Sequence, residues 1–137
     1  MAWVAAESPH GWDLACAWIE STTVRAAVAG WKTLSSLVGI KPDAELDLAK
    51  LKELLLRVGR TIHGQPNDVR YAMNGFVICL GAYVRSLTKL AIELAEKIGP
   101  VSVDMGDTEC QVPFASDYIR KIEKRGTIGK KRKTARC

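Results

Sequence analysis

Apolar residues recur along most of this chain at intervals of three and four, the period of amphipathic helices rather than of strands. The clearest run covers residues 46–63. There Leu48, Leu51, Leu55, Val58 and Ile62 face one way, while Lys50, Lys52, Glu53 and Arg57 lie mostly on other sides. A turn cluster, Ser8-Pro9-His10-Gly11, precedes a short helix predicted over residues 12–20, with Trp12, Ala15, Cys16 and Ile19 at helical spacing. Ser21 or Thr22 can cap the next helix, which is predicted to run to about Val38 before Gly39 and Pro42 close it. Its expected stripe is Val24, Val28, Trp31, Leu34, Ser35 and Val38.

Gly64-Gln65-Pro66 stops the helix of residues 46–63, and Asn67 is the expected cap of a helix reaching about Val84. That helix is apolar nearly all round from Phe76 to Tyr83, as expected of an element in the centre of a core. A helix over residues 86–98 ends at Gly99-Pro100, and residues 101–105 alternate like a short extended segment. A last helix is expected over residues 114–125, with Phe114, Tyr118, Ile119 and Ile122 on one side and Gly126 at its end. The fold class is therefore all-α. Antiparallel hairpins stacked as a short solenoid are the expected architecture, with an ordinary helical bundle as the competitor. Residues 1–100 would form the array, and residues 101–137 an irregular extension carrying the final helix and a basic tail.

Charge changes the picture at one end. Of the 20 Lys and Arg in the chain, nine lie in residues 120–137 beside a single acid, Glu123, so the net charge of +5 arises entirely there. Such a segment attracts polyphosphates through counterion release, although a solvated tail would read the same way. No apolar run approaches the length of a membrane span, and no basic region precedes an apolar stretch at the N-terminus. Four cysteines without a CxxC pair and two scattered histidines give no metal-binding spacing. Reduced thiols and a cytoplasmic setting are the expectation. Met1-Ala2-Trp3-Val4 reads as helix interior with no cap before it, as expected of one part of a longer helical array.

Residues 12–38 and 68–83, with Val103-Asp104-Met105-Gly106-Asp107-Thr108 and the ending Gly129-Lys130-Lys131-Arg132-Lys133-Thr134-Ala135-Arg136-Cys137, resemble bacterial DNA alkylation repair proteins. More narrowly, they are similar to a shorter-motif branch of that HEAT-like helical-repeat family. The resemblance implies a HEAT-like array, here its C-terminal portion, whose basic face holds duplex DNA. Active members excise cationic alkylpurines from a cleft lined by Trp and Asp, without metal or cofactor. The chemistry is reasonable, because an alkylpurine is already a cationic leaving group. A carboxylate can stabilise charge developing on the sugar while aromatic faces attract the cation.

On this resemblance Asp13 is the candidate catalytic carboxylate, and Trp12, Trp31 and Arg70 would line the groove. Lys130, Lys131, Arg132, Lys133 and Arg136 would hold phosphates. The chain departs from the active pattern in three places. Cys16 stands four residues after Trp12 where active members carry Asp; the stretch from Val24 to Leu34 offers Arg25, Trp31 and Lys32 but no paired arginines; and Gly75 occupies a Trp position in Val69-Arg70-Tyr71-Ala72-Met73-Asn74-Gly75. Buried Asn74 would have to find polar partners. Asp104, Asp107 and Glu109 suit a loop that pairs with the basic tail. A DNA-binding protein that recognises or excises alkylated purines is the leading expectation. A non-catalytic scaffold for a protein or RNA partner is the alternative.

Overall fold

A computed structural model describes residues 10–99, 101 and 114–131. Six α-helices account for most of them: α1 (Gly11–Trp18), α2 (Val24–Ile40), α3 (Leu48–Thr61), α4 (Asn67–Tyr83), α5 (Arg85–Ile98) and α6 (Ala115–Arg125), with 3-10 turns at Asp43–Glu45 and Ile62–Gly64. The segment expected to be extended lies, apart from Val101, outside the described residues, as do the expected helix at Met1–Val4 and the acidic cluster Asp104, Asp107 and Glu109.

Even-numbered and odd-numbered helices form two layers. Helix α4 packs against α2 on one side and α6 on the other, and α3 packs against α5. An ion pair between Glu20 and Arg57 ties the end of α1 to α3. Within each layer the helices run parallel. Trp31 meets Phe76 with ring centroids 5.2 Å apart, and the last turns of α2 and α4 are joined by one crossing segment described below. In the odd layer Leu94 lies against Gly59, and His63 Nε2 donates to the Ile98 carbonyl (2.9 Å). Successive helices therefore pair as antiparallel hairpins, and the fold is the expected all-α, HEAT-like array.

One apolar cluster runs through both layers, from Ala15 and Ile19 through Trp31, Leu34, Leu55, Phe76 and Leu80 to Ile119 of α6. Of the stripe expected over residues 46–63, Leu51, Leu55, Val58 and Ile62 are buried and Leu48 is partly buried. That of α2 is turned: Ala27, Gly30, Trp31, Leu34, Leu37 and Val38 are buried, while Val24 is 39% exposed. The small residue Gly30 lets the end of α1 approach closely, a contact that a count of bulky residues overlooks. On α6, Ala115, Ser116 and Ile119 face the core, and Tyr118 turns outward at 46% exposure.

Local chemistry sets the boundaries. Asp47 accepts from the Lys50 amide (3.0 Å), which satisfies an orphan donor at the start of α3. Asn67 is not a cap but the first residue of α4, and its side chain accepts from Arg70 instead. A single residue, Val84, separates α4 from α5. Thr88 Oγ1 secures this sharp corner by donating toward the Gly81 and Val84 carbonyls (2.7 and 3.2 Å).

Candidate nucleic-acid interface

The chain beyond α6 builds the most distinctive polar feature. Gly126 (φ 72°) ends the helix in the left-handed region that favours glycine, and its amide bonds the Glu123 carbonyl (3.0 Å). A second left-handed glycine, Gly129 (φ 82°), turns the chain so that its amide donates to Ala82 O (2.8 Å) in the last turn of α4. Arg85 Nη2 donates to the Ile128 carbonyl (2.8 Å). Lys131 Nζ then reaches the Val38 carbonyl of α2 (2.8 Å) and pairs with Asp43 (2.8 Å). Residues 126–131 thus form a strap that runs from the end of α6 across the end of α4 to the end of α2. Its donors satisfy carbonyls left unpaired at helix C-termini, and a cation there also meets the negative end of the helix dipole.

Open hollows flank this strap. One, of about 250 Å³, is lined by Ala82, Tyr83, Ile122, Thr127, Lys130 and Lys131. The other, of about 300 Å³, is lined by Arg85, Thr88, Lys89, Glu123, Gly126 and Ile128. Lys89, Lys121, Lys124, Arg125 and Lys130 are exposed and have no ion pair among the described residues.

The even layer also has a free face, the side turned away from the odd layer. On α2 it carries Arg25 and Lys32, two exposed residues seven apart. On α4 it carries exposed Tyr71 and, one turn on, Gly75, where an added Cβ would meet nothing within 4 Å. Exposed Lys121 and Arg125 continue it on α6.

The residues singled out in the sequence do not converge. Asp13 is exposed in the first turn of α1, opposite the buried Gly11 and Ala15. Trp12 is half-buried against Leu37. Trp31, expected in a groove wall, is instead a core residue at 1% exposure whose indole rests on Phe76, so it offers no face to a ligand. Arg70 shares a side of α4 with buried Asn74 and Val77, and its guanidinium folds back onto Asn67. Lys130 is exposed as a phosphate contact requires. Lys131, assigned the same role from sequence, is tied to Val38 and Asp43 and serves as the anchor of the strap. Within the described residues the basic segment meets Glu96 through Arg120 and Asp43 through Lys131, and the sequence singled out neither acid. Arg132, Lys133 and Arg136 lie outside the described residues. The signal for a docked turn was present in Gly126-Thr127-Ile128-Gly129, two glycines bracketing an apolar residue between helix and tail.

Burial pushes the Cys16 thiol above its ordinary range. Lys50 opposes this, and Asp13, Asp47 and Glu20 add to it. Among the described residues no three His, Cys, Asp or Glu gather as metal ligands, and no helix is long and apolar enough to cross a membrane.

Two parallel-helix layers joined by antiparallel hairpins place the chain among HEAT-like repeat folds. No family model matches it. Over 108 residues, 79% of the chain, it is 39% identical to the uncharacterized protein Lin0241 of Listeria innocua and 38% identical to Lmo0209 of Listeria monocytogenes. The matched region is 45% of each relative, so the chain spans just under half the length of these curated relatives. A solved structure superposes on 99% of the chain with a TM-score of 0.91 at 32% identity, using 58% of its own length. That protein represents a new family related to the HEAT-like repeat DNA glycosylases, with affinity for branched DNA structures.

Proposed function

We propose that this protein binds DNA through its phosphate backbone and prefers branched DNA to a linear duplex. The observation that carries this reading is the likeness over nearly the whole chain to a protein with affinity for branched DNA. Exposed cations on α2, α6 and the strap supply the electrostatics such binding needs. On the same reading Lys130, with Arg132, Lys133 and Arg136 beyond it, contributes phosphate contacts.

The resemblance to alkylation repair proteins adds a finer reading, recognition or excision of alkylated purines with Asp13 as the carboxylate. Binding without excision is better supported. Excision needs a carboxylate and aromatic walls within one cleft, whereas Asp13 projects from α1, Trp31 is in the core, and a thiol with a raised pKa stands at Cys16.

Two measurements test these readings. Fluorescence anisotropy with a labelled four-way junction and a linear duplex of equal length, over a range of salt, should show tighter and strongly salt-dependent binding of the junction. Absence of DNA binding even at low salt would refute the proposal and favour a scaffold for protein or RNA. Incubation of excess protein with methylated duplex should release no alkylpurine above the spontaneous rate. Release that falls with Asp13→Asn would establish the excision reading instead.

A further inference from the structure

The branched-DNA reading leaves open how an array of parallel helices would distinguish a branch from a straight duplex. We infer that the edge at which α2, α4 and α6 end is a second phosphate-binding surface, distinct from the free face, and that it takes the second arm of a branched DNA. This inference rests on the proposed DNA binding and goes beyond it by assigning the residues that read the branch.

The charge balance at this edge is the first argument. Cations gathered where helices end are ordinarily explained by the helix dipoles. Each C-terminus is equivalent to roughly half a negative charge, so three of them account for about one and a half cations. Asp43 absorbs Lys131. Lys89, Lys124 and Lys130 remain exposed without an ion pair among the described residues, Arg85 keeps its charge while donating to Ile128, and Glu123 opposes them. A surplus of roughly one to two positive charges is left after Glu123 and the dipoles are counted. Internal compensation therefore does not account for the edge.

Preorganisation is the second argument. Gly129 and Arg85 bond the strap to α4 and back onto Ile128, and Lys131 fixes its far end at α2. Lys130 is thus held in place on the rim of the hollow that it shares with Thr127 and Tyr83, rather than swinging on a loose tail. A cation held in position gives up less entropy when it meets a phosphate.

Geometry supplies the third. The free face is the side of the layer and the edge is its end, so the two surfaces meet at roughly a right angle. A linear duplex lying on the free face would have to bend sharply to touch the edge, at a cost on the order of several kcal/mol. A branched molecule reaches both surfaces with two straight arms.

The test compares wild type with an edge variant, Lys89→Gln, Lys124→Gln and Lys130→Gln together, and a free-face variant, Arg25→Gln with Lys32→Gln. All five side chains are exposed, and glutamine is a good helix former. Affinities for a four-way junction and an equal-length duplex are measured across a salt series. The edge variant should lose at least about tenfold for the junction and less than about threefold for the duplex, and its junction salt slope should fall by about three. Lys124→Gln and Lys130→Gln singly should each lower that slope by about one. The free-face variant should weaken both substrates alike. Equal losses on junction and duplex in the edge variant, or an unchanged junction preference, would overturn the inference while leaving DNA binding intact. A wild type that binds junction and duplex equally would also overturn it, and a wild type that binds neither refutes the proposed function and this surface together.

Discussion

Replacing Gly30 and Gly75 by alanine, one at a time, tests the packing of this array with a built-in control. Both glycines lie inside long helices, so alanine should favour each by up to about 1 kcal/mol through helix propensity alone. Their surroundings differ. A Cβ on Gly30 would stand 2.7 Å from Ile19 Cγ2, 2.8 Å from the Ile19 amide nitrogen and 3.0 Å from the Ala15 carbonyl oxygen. Two of these are backbone atoms, and they are bonded to each other at the end of α1 (3.1 Å). No rotamer change can clear them, so α1 must move off α2 by several tenths of an ångström. Overpacking of this kind costs about 1–3 kcal/mol, which exceeds the propensity gain. Gly30→Ala is therefore expected to destabilise by about 1–2 kcal/mol, and Gly75→Ala to stabilise by about 0.5–1 kcal/mol. Urea unfolding followed by helical circular dichroism should order the midpoints Gly75→Ala above wild type above Gly30→Ala, with similar slopes. A Gly30→Ala protein as stable as wild type would refute the close α1–α2 contact.

Two further outcomes follow from contacts at the strap and in α1. Lys131→Met keeps the aliphatic stem but removes the donor to Val38 and Asp43. Allowing for solvent screening at a partly exposed site, it should cost about 1–2 kcal/mol, and the Gly129 amide should exchange faster with solvent. Unchanged exchange at Gly129 would show that the strap holds without its anchor. The Cys16 thiol titrates above its ordinary value in the folded chain because burial disfavours the thiolate. A raised folded pKa contributes stability that is present below the unfolded value and lost as pH rises through the folded one. Wild type should therefore lose stability more steeply than Cys16→Ser as pH rises through and above the ordinary thiol range. Parallel curves would contradict the burial of that thiol.

The helices were legible because periodicity and turn chemistry are local. The run with Leu51, Leu55 and Val58 and the breaks at Gly64-Gln65-Pro66 and Gly99 needed nothing from elsewhere in the chain. The facing of α2 and α6 was less so. Ala27 and Gly30 are weak apolar signals, yet both are buried, Gly30 because it lets α1 approach closely, while bulky Val24 and Tyr118 remain outside. At the candidate interface the density of cations could be read directly, but not their division of labour. Lys130 and Lys131 are neighbours of one residue type. Only the second meets a carbonyl and a carboxylate contributed by distant segments, and nothing local distinguishes them. Trp31 shows the converse. Its place on a helical stripe with Leu34 and Val38 indicated the core, and that stripe predicted its position better than its chemical likeness to a groove aromatic did.

The strap also alters how the array comes apart. In a stack whose repeats touch only their neighbours, either end can fray without the other responding. The bond from Lys131 to Val38 joins residues 93 apart in sequence, and the same strap is bonded to α4 on the way. Loosening the C-terminal segment therefore exposes the end of α2 as well. Opening at one end of the molecule is felt at the other, and the described helices behave less like a row of independent modules than like a bundle closed by its own cord.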